Sequence, residues 1–185
     1  MTETLQQLRD LLATRSIKHG SFRLASGAMS TYYMDARLTE VCSQGAYLIG
    51  EAIYQHTSHL AFDALGGLAT GAIPLTTAAV ISYHHHGRSV EGFWVRDKVK
   101  EHGTQKLVEG NLQPGARVVI VDDVITQGGS SLKAIKAVQD MGCEVVLVLA
   151  LVDRLQGAAQ LFAANGITQF QSVFSLRDFG LEPSA

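Results

Sequence analysis

The strongest constraint on this chain is a recurrence between residues 62 and 174. Short runs of strand-forming residues (Phe62–Leu65, Phe93–Val95, Val118–Val121, Val145–Val152 and Gln171–Phe174) alternate with stretches of helical spacing at about 73–84, 130–141 and 156–164. A strand with one wet face alternates apolar and polar residues, whereas an all-apolar run needs cover on both faces. Interleaved with helices, such runs specify an α/β fold with a parallel sheet flanked by helices on both sides. None of the three prolines breaks an apolar run except Pro74, which suits a first helical turn, where its missing N–H is no loss.

Upstream, Leu5, Leu8, Leu11 and Leu12 share one helical face, with Thr2 as a cap. Thr31–Ala36 is aromatic-rich and is expected to be a strand. Ser43 is expected to cap a helix running to about His56, with Tyr47, Leu48, Ala52 and Ile53 inward. The 185 residues suit a single domain, with no linker or repeat.

Composition removes several functional classes. A net charge of −2 provides no basic field for nucleic acid. The longest apolar run, Val145–Val152, has eight residues, against about twenty for a membrane helix. The N-terminus carries Glu3 and Asp10 and lacks a basic-then-apolar leader, so a soluble, cytoplasmic protein is expected. Cys42 and Cys143 form no CxxC pair and signal no zinc site. The three consecutive histidines His84–His86 point in three directions on a helix and suit a polar helix end before Gly87.

Charged residues are scarce, at 17%, and glycines numerous, at 18, so their placement is informative. In Val118–Ser131, four apolar β-formers end in Asp122 and Asp123, followed by Thr126, Gln127, Gly128, Gly129, Ser130 and Ser131. In a parallel sheet, ligands bind beyond the carboxyl ends of the strands. The glycines allow several N–H groups to converge, and with a helix N-terminus they make a phosphate cradle. Two carboxylates would repel that phosphate directly, but they suit the vicinal hydroxyls of a ribose. The segment therefore asks for a sugar phosphate. Lys133 is not preceded by glycine, so no GxxxxGK[ST] motif is present.

This segment resembles the phosphoribosyl pyrophosphate (PRPP) signature of the type I phosphoribosyltransferases. Three further segments resemble the orotate phosphoribosyltransferase family: Leu24–Gly27 followed by Tyr32–Asp35, the loop Arg96–Gly103, and Leu151–Arg154. The resemblance implies a type I phosphoribosyltransferase fold, with a central parallel sheet and a small N-terminal hood from about residues 1–40 plus the C-terminal end. It implies transfer of phosphoribosyl from PRPP to orotate in pyrimidine synthesis, with Mg²⁺ bound mainly through PRPP and no metal site of the protein's own. By the same resemblance, Arg96, Lys100 and His102 contact the pyrophosphate, with Asp97 and Lys98 beside them. Asp122 and Asp123 hold the ribose hydroxyls, and Thr126–Ser130 bind the phosphate. Tyr32, Tyr33, Thr126 and Arg154 hold orotate. The turn Gly66–Gly71, with Ala69 and Thr70, resembles the family's pyrophosphate loop, which often holds a cis peptide.

Residues 96–109 contain seven of the 32 charged residues, so this stretch must lie over the surface, as a plain connection or as a lid. The resemblance favours a lid, with the loop at 97–110 reaching into the partner site of a homodimer. Many members of the family have lysine where this chain has Ala25, Thr70 and Asp97, and Asp97 puts a negative charge where a cation usually faces PRPP. That departure leaves open a PRPP-binding paralogue of low activity, alongside a transferase for another base and a PRPP-sensing regulator.

Overall fold

The computed structural model describes residues 1–23, 27, 29–98 and 106–183. Helix α1 (Glu3–Arg15) is capped by Thr2, whose hydroxyl accepts from the Leu5 N–H, and it buries Leu8 and Leu12. An antiparallel hairpin follows, formed by β1 (Ile17–Arg23) and β2 (Met29–Met34). Next come the single turn α2 (Arg37–Glu40) and α3 (Ser43–Thr57). The rest of the chain is β3 (Ala64–Leu68), α4 (Ala72–His85), β4 (Glu91–Val95), β5 (Val108–Gly110), β6 (Arg117–Ile125), α5 (Gly129–Gln139), β7 (Glu144–Asp153), α6 (Ala158–Ala164) and β8 (Phe170–Ser175). A 3-10 turn, Leu176–Phe179, follows β8.

The large sheet has the order β5-β4-β3-β6-β7-β8, parallel at each pairing from β4 to β8 and antiparallel between β4 and β5. The chain leaves β3 for β4 in one direction and leaves β6 for β7 in the other. Right-handed crossovers then require α4 and α5 to lie on opposite faces. The packing agrees. Residues of α1, α3 and α4 form one apolar cluster with Val119 and Val121, while α5 and α6 form another with Val118 and Ile120. The switch of direction falls between β3 and β6, so a crevice opens outside their carboxyl ends.

A third, small cluster joins Ile17 and Tyr32 of the hairpin to Leu176 and Leu181 beyond β8. It fixes the hairpin over the carboxyl end of the sheet. Three elements were not expected from the sequence: β1, α2 and β5. The β1 residues IKHGSFR carry no two-residue alternation, and the strand is held by pairing with β2. The aromatic strand lies at Met29–Met34 rather than at 31–36.

Some expectations are corrected. Tyr47 is 61% exposed, while Leu48, Ala52 and Ile53 are buried as expected. The cap of α3 is Cys42, whose Sγ accepts from the Gly45 N–H at 3.3 Å, so Ser43 is already helical. The glycine segment at 66–71 is not all turn, because Gly66 and Gly67 belong to β3. A Cβ on Gly66 would lie 2.8 Å from the Phe93 carbonyl carbon, and one on Gly67 would lie 2.8 Å from the Ala72 Cβ. Those two glycines serve sheet packing. Of the histidines, His86 follows the last turn of α4 and stacks on Tyr54 at 3.8 Å, with Glu51 3.0 Å from its ring nitrogen. Both cysteines are free thiols.

Candidate active site

Three segments meet at the crevice: the end of β2 with α2, the turn after β3, and the carboxyl half of β6 with the turn into α5. A polar pocket of about 200 Å³ is lined by Met34–Arg37, Thr70, Gly71, Asp123 and Val124. A second, of about 410 Å³, is lined by Ala69, Thr70, Ile73, Trp94, Arg96, Asp97 and Lys98. Thr70 belongs to both, so the two pockets flank one turn. The Ala69–Thr70 peptide is cis. A larger cavity of about 520 Å³ lies between β5 and α5, outside the crevice, with Leu107, Val108, Leu112, Ala137 and Met141 in its wall.

The two adjacent carboxylates do not end the strand, since β6 continues to Ile125. Successive strand residues face opposite sides, and this separates them. Asp122 turns toward α5, is 7% exposed and accepts the Ser131 hydroxyl; its Oδ1 also accepts the Asp123 N–H at 3.1 Å. Burial pushes the Asp122 carboxyl up to about 7, against the lowering effect of Ser131. Asp123 turns toward the start of α4. There its carboxyl lies so close to Gly71 that an added Cβ would be 2.7 Å from its Cγ. Asp123 therefore lines the pocket and Asp122 anchors the turn behind it, a division that adjacency in sequence did not indicate.

Gly128 caps α5 with φ +85°, a conformation costly for other residues, and a Cβ there would meet the Phe162 ring at 2.9 Å. The turn thereby aims the free N–H groups of the first turn of α5 at the crevice mouth. Gln127, Gly129 and Ser130 are exposed there and Thr126 is half-buried.

Arg154 follows β7, and its N–H donates to the Ile125 carbonyl at 2.8 Å. The neighbouring Asp153 carboxylate accepts the Leu155 N–H. The Arg154 guanidinium lies over the Tyr32 ring, 5.6 Å from its centroid, with a terminal nitrogen 3.5 Å from the hydroxyl. Its Nε is buried without a partner among the described residues. Tyr32 is 3% exposed, and Tyr33 is 43% exposed beside Phe22.

At the second pocket, the Arg96 guanidinium lies 3.5 Å from the Glu109 carboxylate. Asp97 pairs with Lys133 of α5 at 2.7 Å, and that ammonium holds its carboxyl below the usual carboxylate range. The reversed charge at 97 is thus neutralised by α5, and Lys98 is exposed. Lys100 and His102 lie outside the described residues, as does the Leu24–Ser26 part of the resemblance. Sequence reasoning omitted Asp35 and Arg37, which pair at 2.7 Å in the pocket wall, and missed that Ser131 holds Asp122 and that Lys133 holds Asp97. Ser131 stood in the signature segment. Lys133 gave no signal, because its partner is 36 residues away.

A crevice at the switch point, with a carboxylate facing a polar pocket and a glycine turn feeding a helix N-terminus, is the arrangement of the type I phosphoribosyltransferases, and the model of the phosphoribosyl transferase domain matches residues 43–161. A relative from Rhodopirellula baltica, an orotate phosphoribosyltransferase, is 43% identical over 185 residues, covering 97% of this chain and 95% of the relative. The crystal structure of Mycobacterium tuberculosis orotate phosphoribosyltransferase in complex with PRPP superposes with a TM-score of 0.81 at 36% identity, covering 96% of this chain and 99% of that one. The same protein in complex with Fe(III) dicitrate gives a TM-score of 0.86 at 39% identity, over 96% and 99% of the two chains. Within the phosphoribosyl transferase family, this chain belongs to the orotate phosphoribosyltransferases.

Proposed function

We propose that the protein transfers the 5-phosphoribosyl group of PRPP to N1 of orotate, releasing pyrophosphate and forming orotidine 5′-monophosphate for pyrimidine synthesis. The observation that carries this reading is the carboxyl end of β6 and β7, where Asp123 lines the polar pocket, the Gly128 turn leads into α5 and Arg154 follows β7 beside Ile125. In the reaction, the bond from ribose C1 to the pyrophosphate oxygen breaks and a bond from C1 to N1 forms. Positive charge develops on the sugar, and negative charge on the leaving group.

Asp123 accepts hydrogen bonds from the ribose hydroxyls and places C1. Asp122, closed off by Ser131, fixes the backbone of that turn. The N–H groups and hydroxyls of Thr126–Ser130 take the 5-phosphate. Arg154 faces the orotate carboxylate, oriented by the Tyr32 ring, and Tyr33 and Thr126 border the pyrimidine. Arg96, Lys98, Lys100 and His102 face the pyrophosphate, with Ala69 and Thr70 on its other side. Electrostatic stabilisation of the leaving charge in a dry site is the main catalytic effect.

Among the described residues, no group of three or more His, Cys, Asp or Glu side chains is placed to hold a metal ion. An Mg²⁺ carried in on the pyrophosphate oxygens would neutralise part of the leaving charge. We extend the proposal to a cytoplasmic homodimer in which the 97–110 loop of one protomer closes over its partner's site. Among the described residues, no helix is long and apolar enough to cross a membrane.

The test is loss of orotate absorbance on adding PRPP and Mg²⁺. No loss, with PRPP still bound, would leave the chain as a PRPP-binding paralogue, and a substrate panel would decide between bases. Mixing Lys100→Ala and Asp123→Ala protomers tests the shared site. Recovered activity supports loop exchange, and none refutes it.

A further inference from the structure

Glu40 ends α2 and is 2% exposed, and neither of its carboxyl oxygens has surface or a hydrogen-bond partner among the described residues. A carboxyl in that position is unusual, because burying one without partners is costly. It has little room to swing out. The next helix crosses α2 so closely that a Cβ on Gly45 would stand 2.8 Å from the Thr39 carbonyl carbon. The Thr39 hydroxyl is tied to Ser16 at 2.7 Å, which clamps α2 from the other side.

The surroundings of Glu40 are the acidic wall of the first pocket. Asp123 and Asp122 act on it from β6, Asp35 from the end of β2 and Arg37 from its own helix. Arg37 is already engaged by Asp35. From α1, Arg15 donates to the Leu38 carbonyl. From α3, the Cys42 thiol caps its own helix and Glu51 is taken by Ser82 and His86. Burial, followed by the charge of Asp123, raises the Glu40 carboxyl from 4.5 to about 8.

We propose that Glu40 is a positioning residue for the substrate-binding wall, acting as a neutral acid packed behind Asp35, Arg37 and Asp123. In that form it leaves Arg37 to Asp35 and adds no charge behind the pocket. Ionised, it adds a further negative charge on the side where an anionic substrate must enter, and it competes for Arg37. The site therefore loses affinity for its phosphorylated substrate on the alkaline side of neutrality. This deepens the reading given above and rests on PRPP being the ligand.

The experiment measures kcat and the KM for PRPP between pH 6.5 and 9.5 in the wild type, Glu40→Gln and Glu40→Met. Each variant is referred to its own value at the acid end, so titrations of PRPP and of the loop cancel. The wild-type KM is expected to rise about tenfold, the effect of one charge at roughly 10 Å from an anion at an effective dielectric near 20. Both variants should lose most of that rise, and kcat should change less than KM. The same rise in all three proteins overturns the role of Glu40. Absence of orotate turnover in all three at every pH overturns the proposed function instead. PRPP affinity by calorimetry across the same pH range then still decides the role of Glu40: it is overturned if wild type and variants run in parallel and upheld if only the wild type weakens.

Discussion

Gly71→Ala separates the positioning of Asp123 from the stability of the fold. Gly71 has φ −59° and ψ −39°, a right-handed helical conformation that alanine adopts without strain. The substitution therefore acts through its methyl group alone. That group would stand 2.7 Å from the Asp123 Cγ and closer still to its Oδ1, where ordinary contact begins at 3.4 Å, so the carboxyl must retreat by about 1 Å. The far end of a side chain can make that move at little cost, and unfolding stability should change by less than about 1 kcal/mol. Catalysis is less tolerant, because a displacement approaching 1 Å costs about 10²-fold, or about 2.7 kcal/mol of transition-state stabilisation. The assay pairs kcat/KM for PRPP with a thermal melt. Gly66→Ala is the contrast, since its methyl meets the backbone carbonyl of Phe93. It should cost about 3 kcal/mol of stability through overpacking. A Gly71→Ala protein with kcat/KM within about threefold of wild type would show that Asp123 does not hold the reacting sugar from this position.

Asp122→Asn should stabilise the fold while lowering activity. Its carboxyl is raised from 3.8 to about 7, so the folded state holds a proton that the unfolded state has lost. The resulting cost grows from pH 4 to pH 7 and is constant above, reaching about 4 kcal/mol, so melts should show the gain at pH 8 and almost none at pH 4. Lys133→Ala strips Asp97 of its partner and should raise the KM for PRPP about tenfold, while removing both charges restores it. Equal KM values in the single and double variants would refute that compensation. Arg154→Lys should raise the KM for orotate nearly as much as Arg154→Ala, because a point charge cannot replace a planar guanidinium stacked on Tyr32. Restoration by lysine in a substrate titration would count against a forked carboxylate contact.

The α/β class, the parallel core and the family were legible in the residue pattern. Uninterrupted apolar strands have few other ways to be covered on both faces, and Val118–Ser131 carries its chemistry in consecutive residues. Arg154 was legible through the Leu151–Arg154 segment of the family resemblance. Tertiary structure decided which neighbour each side chain meets. Strand alternation sends Asp122 to Ser131 and Asp123 to Gly71. Gly66 and Gly67 relieve contacts within and beside the sheet, which the local glycine pattern does not reveal. Asp97 read as a charge of the wrong sign until the fold brought Lys133 of α5 against it. Glu40 carried no signal in the sequence, and only the packing of α1, α3 and β6 around α2 buries it. In each case the deciding partner lies on another element, and a local pattern carries no record of contacts made only when the layers pack.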